Sequence, residues 1–486
     1  MADTVIRNAT IIDGTGGPRF TGDVAIEDGH ISEVGSSSSR SAIEVDATGL
    51  VLAPGFVDVH THDDGALLQH PDMEFKISQG CTSVVVGNCG FSAIPAVVGK
   101  KTLDLSGVDA NWTDLEGYRH DVEKLGPAVN AMMLVGHNTI RSLEMGNERR
   151  APRDGELERM REHIGLAMEQ GACGFSTGLI YRPGRWSDTE EVLELAKAVA
   201  PFDGIYATHM RNENDHLLEA VDEALDIGSK AGVAVQISHH KAAGKRNWGK
   251  VKESLAKVDA AVAEGARVTL DVYPYTAGSG PMIQYFDLKN PNPELAQAIQ
   301  LASCPAFRDY EGRMLVDIAA ELQITAPEVV RHILTAPHGK QTICIQHTMD
   351  EGDILSNLRH DRVMIGSDGI PDLGGRPHPR LYGTFPRVLG RYVREQGILD
   401  LESAIRRMTS LSCDVHGLTD RGRIAEGKWA DLVLFDPELV VDVASYEDPK
   451  RESLGIQNVW VNGQLAFNGG SHTQTGSGKV LRYREH

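Results

Sequence analysis

Two histidines one residue apart, His60 and His62, close the apolar run Phe56-Val57-Asp58-Val59 and lead into Asp63 and Asp64. Residues two apart on a strand share a face, so both imidazoles present to one side, a geometry suited to a single metal ion. An exposed histidine pair is also common, and the pair alone leaves both readings open. Four further residues stand in comparable places, each just after a short apolar run. They are Cys89 in Gly87-Asn88-Cys89-Gly90, His209 in Thr208-His209-Met210, His239 in Ser238-His239-His240-Lys241, and Asp368 in Ser367-Asp368-Gly369. Singly, Cys89 reads as a buried structural thiol, and His209 or His239 as a core or surface histidine. Jointly they make a metal site, because imidazole, thiolate and carboxylate are the usual zinc ligands. A zinc ion with one position left open lowers the pKa of water and polarises a carbonyl, which is the chemistry of hydrolysis.

Residues so far apart in the chain meet only if the fold gathers strand ends. Apolar runs predict eight strands, at 56–60, 83–87, 131–135, 174–176, 205–209, 233–238, 268–272 and 363–366. Amphipathic stretches such as 156–170, 190–199, 217–231 and 250–264 predict helices between them. Eight such units imply a (β/α)8 TIM barrel over residues 56–411, with catalytic side chains at the C-terminal strand ends. The interval between strands seven and eight is too long for one helix, so residues 280–342 are predicted to form an insertion near the barrel mouth. The flanks, 1–55 and 412–486, are rich in short strands and Gly turns. Thr4–Arg7 and Ala9–Ile12 read as two of those strands. The flanks are predicted to build one small β-sandwich domain from both termini.

Composition narrows the class. The 486 residues carry a formal charge of −20, which would repel nucleic acid and anionic membrane surfaces. No apolar run is long enough to span a bilayer, and the first residues lack the pattern of a secretory signal. Six cysteines without a CxxC pair do not resemble a disulfide framework. A cytoplasmic enzyme with reduced thiols is the expectation.

The chain resembles the amidohydrolase superfamily, and within it the D-aminoacylases (N-acyl-D-amino-acid deacylases). The likeness is carried by Pro54–Asp64, Gly87–Gly90, Ile205–Arg211, Gln236–Lys241, Asp271–Tyr275, Gly366–Gly369 and His378–Arg387. It implies a tightly held zinc on Cys89, His209 and His239. It also implies a second, weaker metal position on His60 and His62, with Cys89 and Asp368 bridging. Many relatives bridge two metals with a carboxylated lysine at the end of strand four. Here that strand ends Phe175-Ser176-Thr177-Gly178-Leu179, which leaves Cys89 as the bridge.

The resemblance implies hydrolysis of the amide bond of an N-acyl-D-amino acid by metal-bound water, with Asp368 as general base and then acid. A free α-carboxylate needs cationic partners, and Lys241 and Arg380 are the candidates. Lys241 shares the face of His239 if that strand continues. By resemblance, Tyr181 and Ser279 complete the clamp. Met349, Met282 and Leu288 are candidates for the side-chain pocket, with core packing the competing reading. His137, at the end of strand three, reads as a second-layer group, as a partner of an oxyanion, or as packing. Asp63 and Asp64 read as orienting His62 or stabilising its loop. The competing activity is hydrolysis of a cyclic amide, as in a hydantoinase or dihydroorotase, against which the absent strand-four lysine speaks. A catalytically dead barrel would be expected to have lost ligands, and here every position is filled.

Overall fold

The computed structural model describes residues 2–103, 105, 107–473 and 475–484. Eight parallel strands form one sheet in sequential order: Phe56–Asp58, Cys81–Val86, Asn130–Gly136, Gly174–Gly178, Ile205–His209, Ala234–Ile237, Val268–Val272 and Val363–Ile365. A parallel bridge between Thr61 and Gly369 joins the last strand to the first and closes a (β/α)8 barrel. The strands are buried on both faces, inside by one another's side chains and outside by helices, so they read as near-continuous apolar runs. The helix Leu217–Ala231 shows how that cover is made. Leu217, Ala220, Val221, Ala224, Ile227, Gly228 and Ala231 recur at helical spacing and are buried, and Gly232 ends the helix in the left-handed region at φ 74°.

Both termini contribute to a mixed nine-stranded sheet. The strand Val51–Pro54 from the N-terminal side pairs antiparallel with Leu432–Phe435 from the C-terminal side. The two strands predicted at Thr4–Arg7 and Ala9–Ile12 are one strand, Thr4–Ile11, with a register shift between Ile6 and Ala9. Asn8 takes φ 59° within that bulge, a conformation that Asn tolerates better than most residues. Beyond the sheet the chain returns to the barrel, where Val480 bridges Ala131 and the Leu481 N–H donates to the Ala131 carbonyl.

The insertion folds around a core of its own. The strands Gly278–Pro281, Ile343–Gln346 and Ile299–Ser303 form an antiparallel sheet, covered by the helices Leu315–Leu322 and Ala326–Thr335. Met282, Phe286, Leu301, Leu315, Val330 and Ile333 pack together inside it. Met282 is fully buried in that core and Leu288 packs against it, so both serve the insertion's packing rather than the barrel mouth. Among the described residues no helix is long and apolar enough to cross a membrane.

Asp431 ties the terminal sheet to the barrel. Its buried carboxylate pairs with Arg421 and accepts from the Asn130 side chain at 3.1 Å and the Asn462 N–H at 2.6 Å. Asp431→Ala removes the buried partner of the Arg421 guanidinium and leaves it only the partly exposed Asp420, 3.2 Å from its Nε. Denaturant unfolding of that variant is expected to show a loss of about 3–5 kcal/mol; a loss under about 1 kcal/mol, the worth of an exposed pair, would remove Asp431 from this role.

Candidate metal centre

The barrel seam is where the site is assembled. The Asp368 N–H donates to the His60 carbonyl at 2.7 Å, and the His62 N–H to the Gly369 carbonyl at 3.0 Å. Beneath these bonds lies the fully buried Lys76. Its ammonium donates to Asp58 Oδ2 at 2.6 Å and to Thr61 Oγ1 and Ser367 Oγ at 3.0 Å, with Asp63 Oδ2 3.3 Å away. Asp58 also accepts from the Ser367 N–H and hydroxyl. Backbone and side chains together thus fix His60, His62 and Asp368 relative to one another.

Three of the sequence-predicted residues leave their strands by a left-handed turn: Cys89 at φ 53°, His239 at φ 35° and Asp368 at φ 49°. Such backbone costs on the order of 1–3 kcal/mol per residue and persists where the surroundings enforce it. Around Cys89 the enforcement is visible. Gly87 sits at φ 80°, and a Cβ there would fall 2.0 Å from the Leu134 carbonyl oxygen. A Cβ on Gly178, at the end of strand four, would fall 2.0 Å from the Cys89 carbonyl oxygen. No side chain has room at position 178, and the Cys89 thiol lies among the histidines.

Cys89 Sγ lies 3.4 Å from His60 Nε2, 3.5 Å from His239 Nε2 and 3.7 Å from His209 Nδ1. Donors on a tetrahedral zinc, at about 2.3 Å for sulfur and about 2.0 Å for nitrogen, stand about 3.5 Å from each other. The spacing and the donor types therefore fit such an ion. Three overlapping groups here have ligand atoms within 4.8 Å of one another: Cys89, His209 and His239; His60, His62 and Cys89; and His60, His239 and Asp368. Asp368 faces the second group, with Oδ1 3.2 Å from His62 Nε2 and 3.6 Å from His60 Nε2.

The electrostatics favour a bound cation. Burial alone would keep Cys89 protonated, but the charge of His60 and His239 outweighs it and holds the thiol well below its ordinary range. Burial likewise opposes ionisation of Asp368, and the Arg380 guanidinium, with His239 behind it, holds that carboxyl well below the carboxylate norm. Burial opposes protonation of His62, but the hydrogen bond to Asp368 and the Cys89 sulfur bring it up to about 9. Two more carboxylates back the imidazoles. Asp271 Oδ1 is 3.1 Å from His60 Nδ1, and Glu213 reaches both His239 Nδ1, at 2.9 Å, and His209 Nε2, at 3.4 Å.

Arg380, Lys241, Tyr181 and Ser279 stand on the open side. Arg380 Nη1 pairs with Asp368 Oδ2 at 2.8 Å, and its Nη2 donates to the Ser279 carbonyl at 3.3 Å, so the contact to Ser279 runs through backbone. Tyr181 packs edge-on against His209 at 4.7 Å, and its hydroxyl lies 3.3 Å from that of Tyr285. Lys241 arrives by a different route from the one expected. Strand six ends at Ile237, the chain turns at His239, and the ammonium folds back to Glu213 Oε1 at 2.6 Å and His239 Nδ1 at 2.7 Å. Met349 packs with Tyr273 and Tyr275 nearby.

Other sequence-predicted residues serve structure. Asp64 accepts from the Gly87 and Ala93 N–H groups and so pins the Cys89 loop, while Asp63 faces Lys76; burial raises both carboxyls to about 6. His137 turns from the mouth and bonds Glu191 at 2.8 Å, which also binds Arg141. His240 points the other way from His239, to Asn357 and Ser254. The sequence reading missed Lys76, Glu213 and Asp271 in their roles. Glu213 carried one signal, an acid four residues after a strand-end histidine; Lys76, in the short helix Glu74–Ile77, carried none.

The model of the amidohydrolase family matches residues 44–303 and 313–467. The chain is 40% identical to a D-aminoacylase of Alcaligenes xylosoxydans xylosoxydans, over 99% of this chain and 97% of that one. It is 37% identical to the N-acyl-D-glutamate deacylase of Bordetella bronchiseptica, solved with zinc and a phosphonate mimic of the reaction's tetrahedral intermediate; the TM-score is 0.91 over 99% of each chain. A D-hydantoinase shares the fold at TM-score 0.62 with 16% identity, over 100% of each chain.

Lys76→Met removes the counter-charge of two buried carboxylates at the seam. Its unfolding free energy is expected to fall by about 3–5 kcal/mol, measured in urea. A variant as stable as the parent would show that the ammonium does not hold the seam.

Proposed function

This chain belongs to the amidohydrolase family, and from that premise we propose how its mouth performs the hydrolysis of N-acyl-D-amino acids to a D-amino acid and a carboxylate. The observation that carries the reading is the buried Cys89 sulfur, ringed by His60, His209 and His239 with Asp368 and Arg380 facing it. Cysteine takes the central place that the filled Gly178 position denies to a lysine, as the deacylase reading requires and the cyclic-amide reading does not.

Cys89, His209 and His239 would hold one zinc tightly, and His60 and His62, with Cys89 and Asp368, would form a second, weaker position. Bound there, zinc supplies a Lewis acid for the scissile carbonyl and lowers the pKa of the attacking water. Asp368 is the general base and acid. Its Oδ1 takes the proton of the attacking water and returns it to the departing nitrogen as the amide C–N bond breaks. Arg380 rests on Asp368 at 2.8 Å in the free protein, so the substrate α-carboxylate competes with Asp368 for the guanidinium. Capture of that carboxylate by Arg380, Lys241 and the Tyr181 hydroxyl leaves Asp368 free to move its proton. With the carboxylate and the scissile carbonyl both fixed, the Cα substituent has one direction left, which selects the D configuration.

Turnover of N-acetyl-D-methionine, its L form and hydantoin by the zinc-loaded protein tests the assignment. The D substrate alone is expected to be cleaved, and cleavage of hydantoin alone would overturn it. Asp368→Ala is expected to lower kcat by about 10²–10⁴-fold, as loss of a general base does. Metal analysis of the same sample should still find the tight zinc, and a variant with substantial turnover would remove Asp368 from the role. Arg380→Ala is expected to raise KM while zinc content stays unchanged; unaltered kinetics would take Arg380 out of the clamp.

A further inference from the structure

Glu213 lies four residues beyond His209, on the segment after strand five, and is buried. Its Oε1 is 2.6 Å from Lys241 Nζ and 2.9 Å from His239 Nδ1, and its Oε2 is 3.4 Å from His209 Nε2. The opposite ring nitrogens, His239 Nε2 and His209 Nδ1, face the Cys89 sulfur. Each imidazole therefore turns one nitrogen to the thiol and the other to the same carboxylate.

A neutral imidazole carries one proton, and a metal needs the nitrogen without it. A carboxylate only accepts, so it draws each ring proton to its own side and bares the nitrogen beside the thiol. Lys241 exerts the opposite demand. Its ammonium, 2.7 Å from His239 Nδ1, only donates. Donation to Nδ1 would place the ring proton on Nε2, the nitrogen that faces Cys89. Whether His239 can ligate depends on which of its two neighbours prevails at Nδ1. Asp271, the neighbouring buried carboxylate, serves other groups: it lies 3.1 Å from His60 Nδ1 and accepts from the His239 N–H and the Gln236 side chain.

We propose that Glu213 is a positioning residue that sets the metal-binding tautomer of His239, accepting its Nδ1 proton and holding the Lys241 ammonium off that ring as its counter-ion, while its second oxygen, 3.4 Å from His209 Nε2, acts on that ring through charge alone. The inference rests on the reading that Cys89, His209 and His239 hold the metal. It gives one buried carboxylate two tasks, orienting the ligands and keeping the Lys241 ammonium in place. Glu213→Gln keeps the shape, but its amide accepts at one atom only and releases Lys241 onto His239 Nδ1.

The test uses metal-free full-length protein reloaded with zinc. Wild type, Glu213→Gln, Lys241→Met and the double variant are titrated against a chromophoric chelator at one pH and ionic strength. Glu213→Gln is expected to bind zinc about 10–100-fold more weakly and to shift the visible bands of the cobalt(II)-substituted protein. Lys241→Met is expected to keep the wild-type constant, and the double variant to recover most of the lost affinity. A Glu213→Gln protein with wild-type zinc affinity and cobalt bands overturns the proposal, and a double variant as weak as Glu213→Gln overturns the part assigned to Lys241. Nitrogen-15 shifts of the histidine rings in metal-free wild type, recorded at a pH where His239 carries a single ring proton, test it without any variant: that proton is expected on Nδ1, and a lone proton on Nε2 refutes the selection. Failure of wild type itself to bind zinc would instead overturn the underlying metal reading.

Discussion

An ammonium group wholly out of water sits where the barrel closes. Lys76 and its partner Asp58 are both fully buried, and an uncompensated charge at that depth costs several kcal/mol. The cost vanishes only when Asp58, Thr61 and Ser367, contributed by both sides of the seam, converge on it. Those residues interleave with His60, His62 and Asp368 along the chain. Closing the barrel and assembling the metal-facing side chains are thus one event, enforced by one charge. The left-handed turns at Cys89, His239 and Asp368 persist within a frame made stiff in this way.

Charge is then layered outward from the seam. Around four imidazoles stand a depressed thiol, Asp368, Glu213 and Asp271, an arrangement rich in negative charge and suited to a divalent cation. On the rim the sign reverses. Arg380 and Lys241 both lie near the ring of Tyr273, at 4.5 Å and 5.9 Å from its centroid, so one aromatic ring supports the two cations proposed to meet the substrate carboxylate. In a molecule of strongly negative net charge these two cations are each held by a carboxylate, Arg380 by Asp368 and Lys241 by Glu213, and such short-range contacts outweigh the screened field of the remainder.

The parts legible in the sequence were those that a period or a strand end announces. His60, His62, Cys89, His209, His239 and Asp368 each follow an apolar run, and a barrel turns such positions into neighbours. What stayed hidden depended on side chains reaching across elements. Lys76 belongs to a helix of four residues and gains meaning only from the seam above it. Asp271 looked like one more residue of an apolar strand, yet it carries His60. Lys241 was placed near His239 by assuming a continuing strand, whereas a left-handed turn delivers it. The bulge at Asn8, which merges two predicted strands, likewise follows from sheet pairing that a local pattern does not contain. Met282 looked like a pocket residue because an apolar side chain reads the same whether it lines a cavity or fills a core.

The insertion leaves the barrel at Gly278 and returns at Gln346, and these two residues pair side by side in one antiparallel sheet. Its hydrophobic interior shares no residue with the barrel core. Mutations that resize this unit can therefore accumulate without disturbing the metal ligands, since each interior bears its own packing costs. The architecture separates a lip with a core of its own from the cluster at the strand ends. Protein engineers can exchange the module through a single doorway and alter what enters, provided its replacement still offers Arg380 a carbonyl and Tyr181 a hydroxyl where Ser279 and Tyr285 now stand.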